Sequence, residues 1–364
     1  MKLSELIQSL ETFAPPALQE GYDNSGLIVG DPEMTITSAI ICLDSTPDVI
    51  DEAIRKGSNL VIAHHPIVFS GLKKITGRTY IERTLLAAIK HDIAIYAIHT
   101  NLDNVYEGVN KRIADKIGLI KTKILEPKKG QLSKLTVFVP EKNAETVRQA
   151  IFDAGAGSIG NYSECSFNST GQGTFKAGEN ARPHIGEIGR RHTESEIRIE
   201  AVLPVWKSSN VIKAMKSAHP YEEVAFDLVA LQNDLHTVGS GLIGDLKEPE
   251  STMDFLNRLK KDMQTSCVRY TRPHLETVSR IAVCGGSGSF LLEKAIRAGA
   301  DVLVTSDFKY HQFFDADGQI IIADIGHFES EQFTIDLLGD WLRLKFPTFA
   351  LHFTDCNTNP VNYL

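Results

Sequence analysis

The sequence predicts an α/β fold: one metal-binding α/β domain built from two segments, interrupted by an inserted ferredoxin-like α+β domain. Three observations support this prediction. Helix and strand patterns alternate in residues 1–127 and again in residues 237–364, as in βαβ units. Residues 128–236 instead contain an internal repeat. Side chains suited to metal ions occur in both outer segments, so we expect these segments to pack together.

The first outer segment alternates between amphipathic helices and short apolar strands. The predicted elements are a helix opening near Ser4, a strand over 39–43, a helix over 47–56, a strand over 60–64, a helix over 80–91 and a strand over 93–98. Pro66 stops a helix from continuing after the second strand. The alternation favours a largely parallel sheet. We interpret the turn-rich motif GYDNSGLIVGD as a glycine-punctuated loop rather than a ligand site.

The middle segment carries two copies of one unit. KLTVFVPEKNAETVRQAIFDAG and RIEAVLPVWKSSNVIKAMKSAH align so that Pro140 matches Pro204 and Val147 matches Val211. Each copy reads as a strand, a proline turn and an amphipathic helix, and VAFDLVAL supplies a strand after the second. Two such halves predict a ferredoxin-like domain. The Gly-, Ser- and Asn-rich residues 155–189 are expected to form long loops, and Lys128 begins the entry linker.

The second outer segment resumes the α/β pattern with the strand in RIAVCGGSGSF and a helix over 291–298. A further strand lies in ADVLVTSDF, and another covers 320–325 and ends at Gly326. The glycine turn Gly285–Gly288 has two interpretations. It could cradle a phosphate at a helix N-terminus, or it could be a tight strand-to-helix turn, since it lacks the Lys-Ser/Thr ending of a Walker A loop.

Five side chains of metal-binding types lie at predicted strand ends or at a helix start. They are His64, His65, Asp103, His327 and Glu331. His327 and Glu331 are four residues apart, so they share one face of a helix. Ligands bind at strand ends along one edge of an open α/β sheet, so the three groups can converge.

These donors predict a catalytic metal site rather than a structural one. Imidazole and carboxylate groups suit zinc, iron, manganese, nickel or cobalt, and the set contains no cysteine. Five donors can hold two divalent ions if one carboxylate bridges them, with ions about 3.5–4 Å apart and water between them. The competing interpretation is that such residues merely cap strands or satisfy buried polar groups.

Three more side chains are candidates for catalytic roles. His99 precedes Asp103 at a strand end, and Asp307 and His311 follow another strand four residues apart. Each could move protons or support a metal ligand, or could be an ordinary polar group. The motif HPYEE at 219–223 is explained by a proline turn with surface carboxylates, with a ligand role as the alternative.

Composition narrows the class of protein. Hydrophobic residues make up 42% of the chain and charged residues 23%, as in globular proteins. No apolar stretch approaches the roughly 20 residues of a membrane span and the first residues lack a signal-peptide core, so we expect a cytoplasmic protein. The five scattered cysteines favour buried thiols over disulfides. A net charge of −8 argues against nucleic acid as a partner.

The motifs GYDNSGLIVGD, NLVIAHHP, HTNLDN, VTSDFKYH and GHFESE occur in this order. As a set they resemble the NIF-three-like dinuclear-metal family, whose members are named GTP cyclohydrolase 1 type 2 homologues. The resemblance spans essentially the whole chain, and Tyr22 stands where the family more often has Trp. It implies that the five donors bind metal, that Glu331 bridges two ions, that the insertion is similar to PII and CutA domains, and that the protein forms a toroidal homohexamer.

Two classes of function follow from these expectations. The first is a metal-dependent hydrolase acting on a nucleotide or related heterocycle, with GTP ring opening as the named candidate and phosphoester hydrolysis as a variant. The second is a regulatory or metal-handling hexameric assembly whose inserted domain senses a small ligand. A ring that encircles nucleic acid is disfavoured by the acidic charge.

Overall fold

The computed structural model describes residues 1–364. The chain divides into two compact units, one formed by residues 1–127 and 236–364 and the other by residues 128–235. The first unit contains a five-stranded and a six-stranded sheet, and the second contains a four-stranded sheet. The predicted mixed α/β class is confirmed. No helix combines the length and apolar character needed to cross a membrane.

The strands are β1 (Gly26–Val29), β2 (Ser38–Asp44), β3 (Leu60–His65), β4 (Ala94–Ala97), β5 (Ile120–Pro127), β6 (Leu132–Pro140), β7 (Phe167–Lys176), β8 (Arg191–Pro204), β9 (Phe226–Leu231), β10 (Gly239–Ser251), β11 (Arg269–Tyr270), β12 (Thr277–Ser287), β13 (Val302–Ser306), β14 (Ile321–Asp324) and β15 (Ala350–Phe353). The α-helices are α1 (Leu3–Phe13), α2 (Pro47–Lys56), α3 (Tyr80–Lys90), α4 (Thr100–Asp103), α5 (Val109–Lys116), α6 (Ala144–Asp153), α7 (Ser208–Ala218), α8 (Thr252–Asp262), α9 (Leu292–Arg297), α10 (His327–Glu331) and α11 (Thr334–Lys345). Short 3-10 helices cover Pro16–Leu18, Glu141–Asn143, Val205–Lys207, Ser289–Leu291 and Tyr310–Ala316.

The five-stranded sheet has the order β1-β4-β3-β2-β15. All pairs are parallel except that of β1 with β4. Strands β2 and β3 are mostly apolar and almost completely buried, as expected for central parallel strands. Helix α2 begins with Pro47 in its first turn and ends before Gly57, whose φ of 68° suits a glycine cap. These signals set where α2 begins and where it ends.

The six-stranded sheet has the order β11-β14-β13-β12-β10-β5. Its centre, β12, β13 and β14, is parallel, and the other pairs are antiparallel. Strand β5 comes from the first segment and pairs with β10, whereas β15 comes from the last segment and pairs with β2. Each outer segment therefore contributes a strand to the other's sheet, and this exchange joins both segments into one unit.

The second unit has four antiparallel strands in the order β7-β8-β6-β9, with helices α6 and α7. The succession βαββαβ with this strand order is ferredoxin-like. Apolar side chains of β6 and β8 pack against both helices. The expectation of long loops over 155–189 is wrong for β7, which pairs with β8 along its whole length. The sequence pattern does not reveal this strand, because most of its residues are polar and exposed. Backbone pairing rather than an apolar face holds it in the sheet.

Candidate metal centre

The five predicted donors sit on three elements of the first unit. His64 and His65 are the last residues of β3, and His327 and Glu331 begin and end α10. Asp103 was expected directly after a strand, but it ends the single-turn helix α4. That turn forms because Asn101 Oδ1 accepts a hydrogen bond from the backbone N–H of His99 at 3.0 Å. It carries Asp103 back toward β3.

Glu331 lies among the other four donors and is only 3% exposed. Its Oε2 atom is 2.9 Å from His65 Nε2 and 3.1 Å from His327 Nε2. Its Oε1 atom is 3.8 Å from His64 Nε2, which in turn is 3.6 Å from Asp103 Oδ1. Two donors bound tetrahedrally to one ion at about 2.0–2.1 Å lie about 3.3 Å apart, so these spacings match metal ligation. The two carboxylate oxygens face two different donor groups.

Two buried polar atoms test whether the cluster fits a metal ion. His64 Nε2 and Asp103 Oδ1 are buried and have no hydrogen-bond partner. His64 Nδ1 donates to the Ile98 carbonyl at 2.8 Å, so Nε2 carries the lone pair of the neutral ring. Burying such atoms unpaired costs about 1–3 kcal/mol each, and a cation between them would remove that cost. The residues fit a metal.

Carboxylates orient three further imidazole rings of the site, and each does so by accepting a hydrogen bond from Nδ1. His65 Nδ1 donates to Asp44 at 2.8 Å, and His327 Nδ1 donates to Asp307 at 2.6 Å. His99 Nδ1 donates to Asp23 at 2.8 Å, and its ring centroid is 5.3 Å from that of His65. Metal-binding histidines commonly show this arrangement, because the carboxylate fixes the ring and raises its basicity.

The pKa values reflect the density of charge around Glu331. Burial acts to raise the pKa of Glu331, but hydrogen bonds from His327 and His65 hold it well below its usual value. Burial acts to lower the pKa of His65, but hydrogen bonds with Asp44 and Glu331 raise it to about 10. In the same way Asp307 and Glu331 overcome burial and raise the pKa of His327 to about 11. The cluster stabilises positive charge.

The pKa of Asp103 is shifted in the opposite direction to that of Glu331. Burial, followed by the negative charge of Glu331, raises the pKa of Asp103 to about 7. A divalent cation between the two carboxylates would offset both effects, since it neutralises their repulsion and replaces the lost hydration.

The glycine turn at the end of β12 supports the cluster instead of offering free amides. Gly285 N–H donates to Asn110 Oδ1 and Gly286 N–H to Ser330 Oγ, both at 2.9 Å. A Cβ atom on Gly286 would lie 2.5 Å from Glu331 Oε1, and the φ of 62° also favours glycine. Two donors expected for a phosphate are therefore engaged. The turn interpretation explains these glycines better than the phosphate interpretation.

The three catalytic candidates differ in position. His99 lies beside His64 and His65, and Asp307 holds His327. The structure does not bring His311 to the cluster, because the chain turns at Asp307 (φ 60°) and enters a 3-10 helix that exposes His311. Asp23 and Asp44 were missed by the sequence interpretation. Asp44 ends a strand, a signal that could have found it, and Asp23 was within the motif interpreted as a loop.

Four of the five donors line a cavity of about 1420 Å³. Its lining includes the aromatic rings of Tyr22, Phe69 and Phe290, each more than half exposed. The ring centroids of Phe69 and His99 are 5.8 Å apart. A flat, apolar-faced ligand can therefore reach the cluster.

Comparison with known proteins decides the family. The family model described as Duf34/NIF3 (NGG1p interacting factor 3) matches residues 1–360. The chain belongs to this family. A Bacillus subtilis member named GTP cyclohydrolase 1 type 2 homolog is 40% identical over 366 residues, covering 99% of this chain and 98% of the relative. A Halalkalibacterium halodurans member of the same name is 42% identical, covering 88% and 87%.

The fold is also similar to that of a solved family member. The crystal structure of a Bacillus cereus protein related to NIF3 has a TM-score of 0.88 and 37% sequence identity, and the match covers 100% of this chain and 99% of that chain. The resemblance inferred from the ordered motifs is thus confirmed for the family.

Proposed function

We propose that this DUF34/NIF3 protein is a dinuclear-metal-dependent hydrolase acting on a nucleotide or related heterocycle. The observation that carries the proposal is the position of Glu331, a buried residue whose two oxygen atoms face separate groups of donors. His64 and Asp103 would hold one ion, and His65 and His327 the other. Zinc, iron, manganese, nickel and cobalt all accept such donors. Two bound ions would supply Lewis acidity and lower the pKa of a water molecule toward neutrality.

His99 is our candidate for proton transfer. Asp23 accepts the Nδ1 proton of His99, which leaves Nε2 able to accept a proton from an attacking water and return it to a leaving nitrogen or oxygen. The Thr100 backbone N–H and the Ser25 hydroxyl also donate to Asp23, so the orientation of the Asp23 carboxylate is fixed. His311 is not part of this proposal, because it lies outside the cavity lining.

GTP is the substrate that the names of the relatives suggest. In ring opening, water would add to purine C8, the C8–N9 bond would break, and a second water would release C8 as formate. Tyr22, Phe69 and Phe290 would stack against the flat base, since each lines the cavity and remains exposed. A phosphoesterase would use the same centre but release phosphate or a nucleotide.

Product analysis tests the proposal. Protein purified without oxygen and assayed for metal would be incubated with GTP and a panel of nucleotides, and products followed by mass spectrometry. Formate release identifies ring opening, and phosphate or nucleotide release identifies phosphoester hydrolysis. A fully metal-loaded protein that turns over none of these substrates would contradict the proposal.

We further propose a cytoplasmic homohexamer, as the family resemblance implies. The free cysteines suit a reducing compartment, and exposed Tyr310 and Phe314 lie on one 3-10 helix where they could be covered by another copy. Light scattering should give a mass about six times the 40.2 kDa of one chain. A monomer at micromolar concentration would contradict this.

A further inference from the structure

The ferredoxin-like unit contains a cavity of its own, with a volume of about 540 Å³. Strands β7 and β8 form its floor. Its walls are formed by four residues of the loop after β7 and four before β9: Ala177, Ala181, Pro183, His184, Tyr221, Glu222, Glu223 and Ala225. Volumes of this size accommodate small organic ligands.

Glu196 is the polar centre of this cavity. It lies on β8 and is only 9% exposed, on the sheet face opposite to Ile197 and Ile199, which pack toward the helices. Its one hydrogen bond comes from Tyr221, whose hydroxyl donates to Oε1 at 3.0 Å. No Lys, Arg or His pairs with it. A buried carboxylate with one neutral donor has acceptor capacity left for a ligand.

A chain of hydrogen bonds fixes Tyr221. His219 Nε2 donates to the Phe138 carbonyl at 3.0 Å, which leaves Nδ1 to accept from the Tyr221 N–H at 3.1 Å. The motif HPYEE, interpreted from sequence as a turn with surface carboxylates, therefore holds the Tyr221 hydroxyl on Glu196. Positioning of this kind lowers the cost of ordering side chains when a ligand binds.

Two glycines keep the space beside Glu196 open. Gly171 lies directly opposite Glu196 in the β7–β8 ladder, and Gly173 is two residues further along β7. A Cβ atom on Gly173 would overlap Glu196 Oε2, whereas one on Gly171 would meet nothing within 4 Å. Small residues at both positions leave room on the floor of the cavity.

The remaining lining is aromatic and acidic. The rings of Phe175 and His184 lie 6.1 and 6.3 Å from that of Tyr221. Glu222 and Glu223 add negative charge, and the one lining cation, Arg198, is paired with Glu200. Such a cavity repels phosphates and other anions and favours a flat cation.

We propose that this cavity binds a planar organic cation, of the amidinium or guanidinium type. Two parallel N–H groups of the ligand donate to the Glu196 carboxylate, the geometry in which such cations bind carboxylates most strongly. The flat portion of the ligand packs against Phe175 and Tyr221.

The test uses benzamidine as the cation and benzamide as its neutral counterpart of nearly the same shape. Calorimetric titration of the full chain should give a dissociation constant of about 1 mM for benzamidine, as expected for so small a ligand. Benzamide should bind at least about tenfold more weakly, since it lacks the charge.

Variants locate the binding. Glu196→Gln keeps the size and the Tyr221 hydrogen bond but removes the charge, so benzamidine affinity should fall at least about tenfold. Glu179→Gln removes one charge from an exposed residue that does not line the cavity, and its affinity should stay within about twofold of the original. Gly173→Ala should also weaken binding, because Glu196 must move.

Each result decides the proposal. Weaker binding in Glu196→Gln with preserved binding in Glu179→Gln supports it; if Glu196→Gln does not fold, Gly173→Ala provides the same comparison. No binding by the original chain at about 10 mM benzamidine, equal binding of benzamide, or equal binding by folded Glu196→Gln would overturn it.

Discussion

At the scale of single residues, Glu331 couples the two donor groups. Replacement by Gln keeps its size and removes its charge. We expect metal affinity to fall at least about 100-fold and both ions to be lost on dialysis, because each oxygen serves one group. The measurement is metal content per chain by mass spectrometry.

Glu329 provides the matched control. It is buried on the same helix, but its Oε1 atom accepts from Asn359 Nδ2 at 3.1 Å instead of facing the donors. Glu329→Gln should keep its metal. Equal metal loads in the two variants would remove Glu331 from the site.

A glycine supplies a second prediction at this scale. Gly286→Ala should displace Glu331 and reduce metal loading, although Gly286 offers no ligand atom. Gly299→Ala shares the cost of a positive φ, about 1 kcal/mol, but its Cβ meets nothing within 4 Å. Metal content should therefore fall only in Gly286→Ala. A normal load in folded Gly286→Ala would show that the turn does not shape the centre.

Side chains marked by a local sequence pattern could be predicted, whereas those defined by contacts between distant parts of the chain could not. His64, His65 and the pair His327 and Glu331 follow from apolar runs and helical spacing. Asp23 reaches His99 across 76 residues, and no local pattern shows that contact. No local pattern shows either that the chain turns at Asp307 and leads His311 away from the cluster.

At the scale of elements, Glu52 ties helix α2 to the chain after β15. It accepts hydrogen bonds from Lys56, Thr354 and the Asp355 N–H and is 2% exposed. Burial acts to raise the pKa of Glu52, but these hydrogen bonds lower it to about 2. The folded-state pKa is below the unfolded value, so this stabilisation is full above about pH 4.5 and is lost as pH falls toward 2.

Glu52→Gln should therefore lower the free energy of unfolding by about 2 kcal/mol at pH 7 and by less near pH 2. Chemical denaturation at several pH values measures this. Asp48→Asn, an exposed position on the same helix, is the control and should change little. A loss of stability in Glu52→Gln that does not depend on pH would contradict the assignment.

Most elements with clear apolar periodicity were predictable, and those held by backbone pairing alone were not. The strands at 39–43 and 60–64 were found because their apolar runs are buried on both faces. Strand β7 was missed because its Gly, Ser and Asn residues resemble a loop. The short helix α4 was missed because one turn is too short to show a period.

At the scale of the whole molecule, the chain leaves the first unit at the end of β5 and returns to it shortly before β10, and these two strands are neighbours in one sheet. Pro127 pairs with Gly239 and Glu126 with Ser240 in the β5–β10 ladder. A short glycine linker in place of residues 128–235 should therefore preserve the fold and the metal load of the first unit. Metal content and circular dichroism of this deletion test the prediction. A folded deletion without metal would contradict it.

The exchange of β5 and β15 between the two sheets lay beyond the sequence patterns. These strands are short or half exposed, and their partners are far away in the chain. The need for both outer segments to meet was nevertheless predictable, because the donors come from both.

The most direct test of the central claim is the metal-to-chain ratio of protein purified without oxygen and then supplied with divalent ions. A dinuclear centre on Glu331 predicts two tightly bound ions per chain. A ratio of one or less at saturation would contradict it.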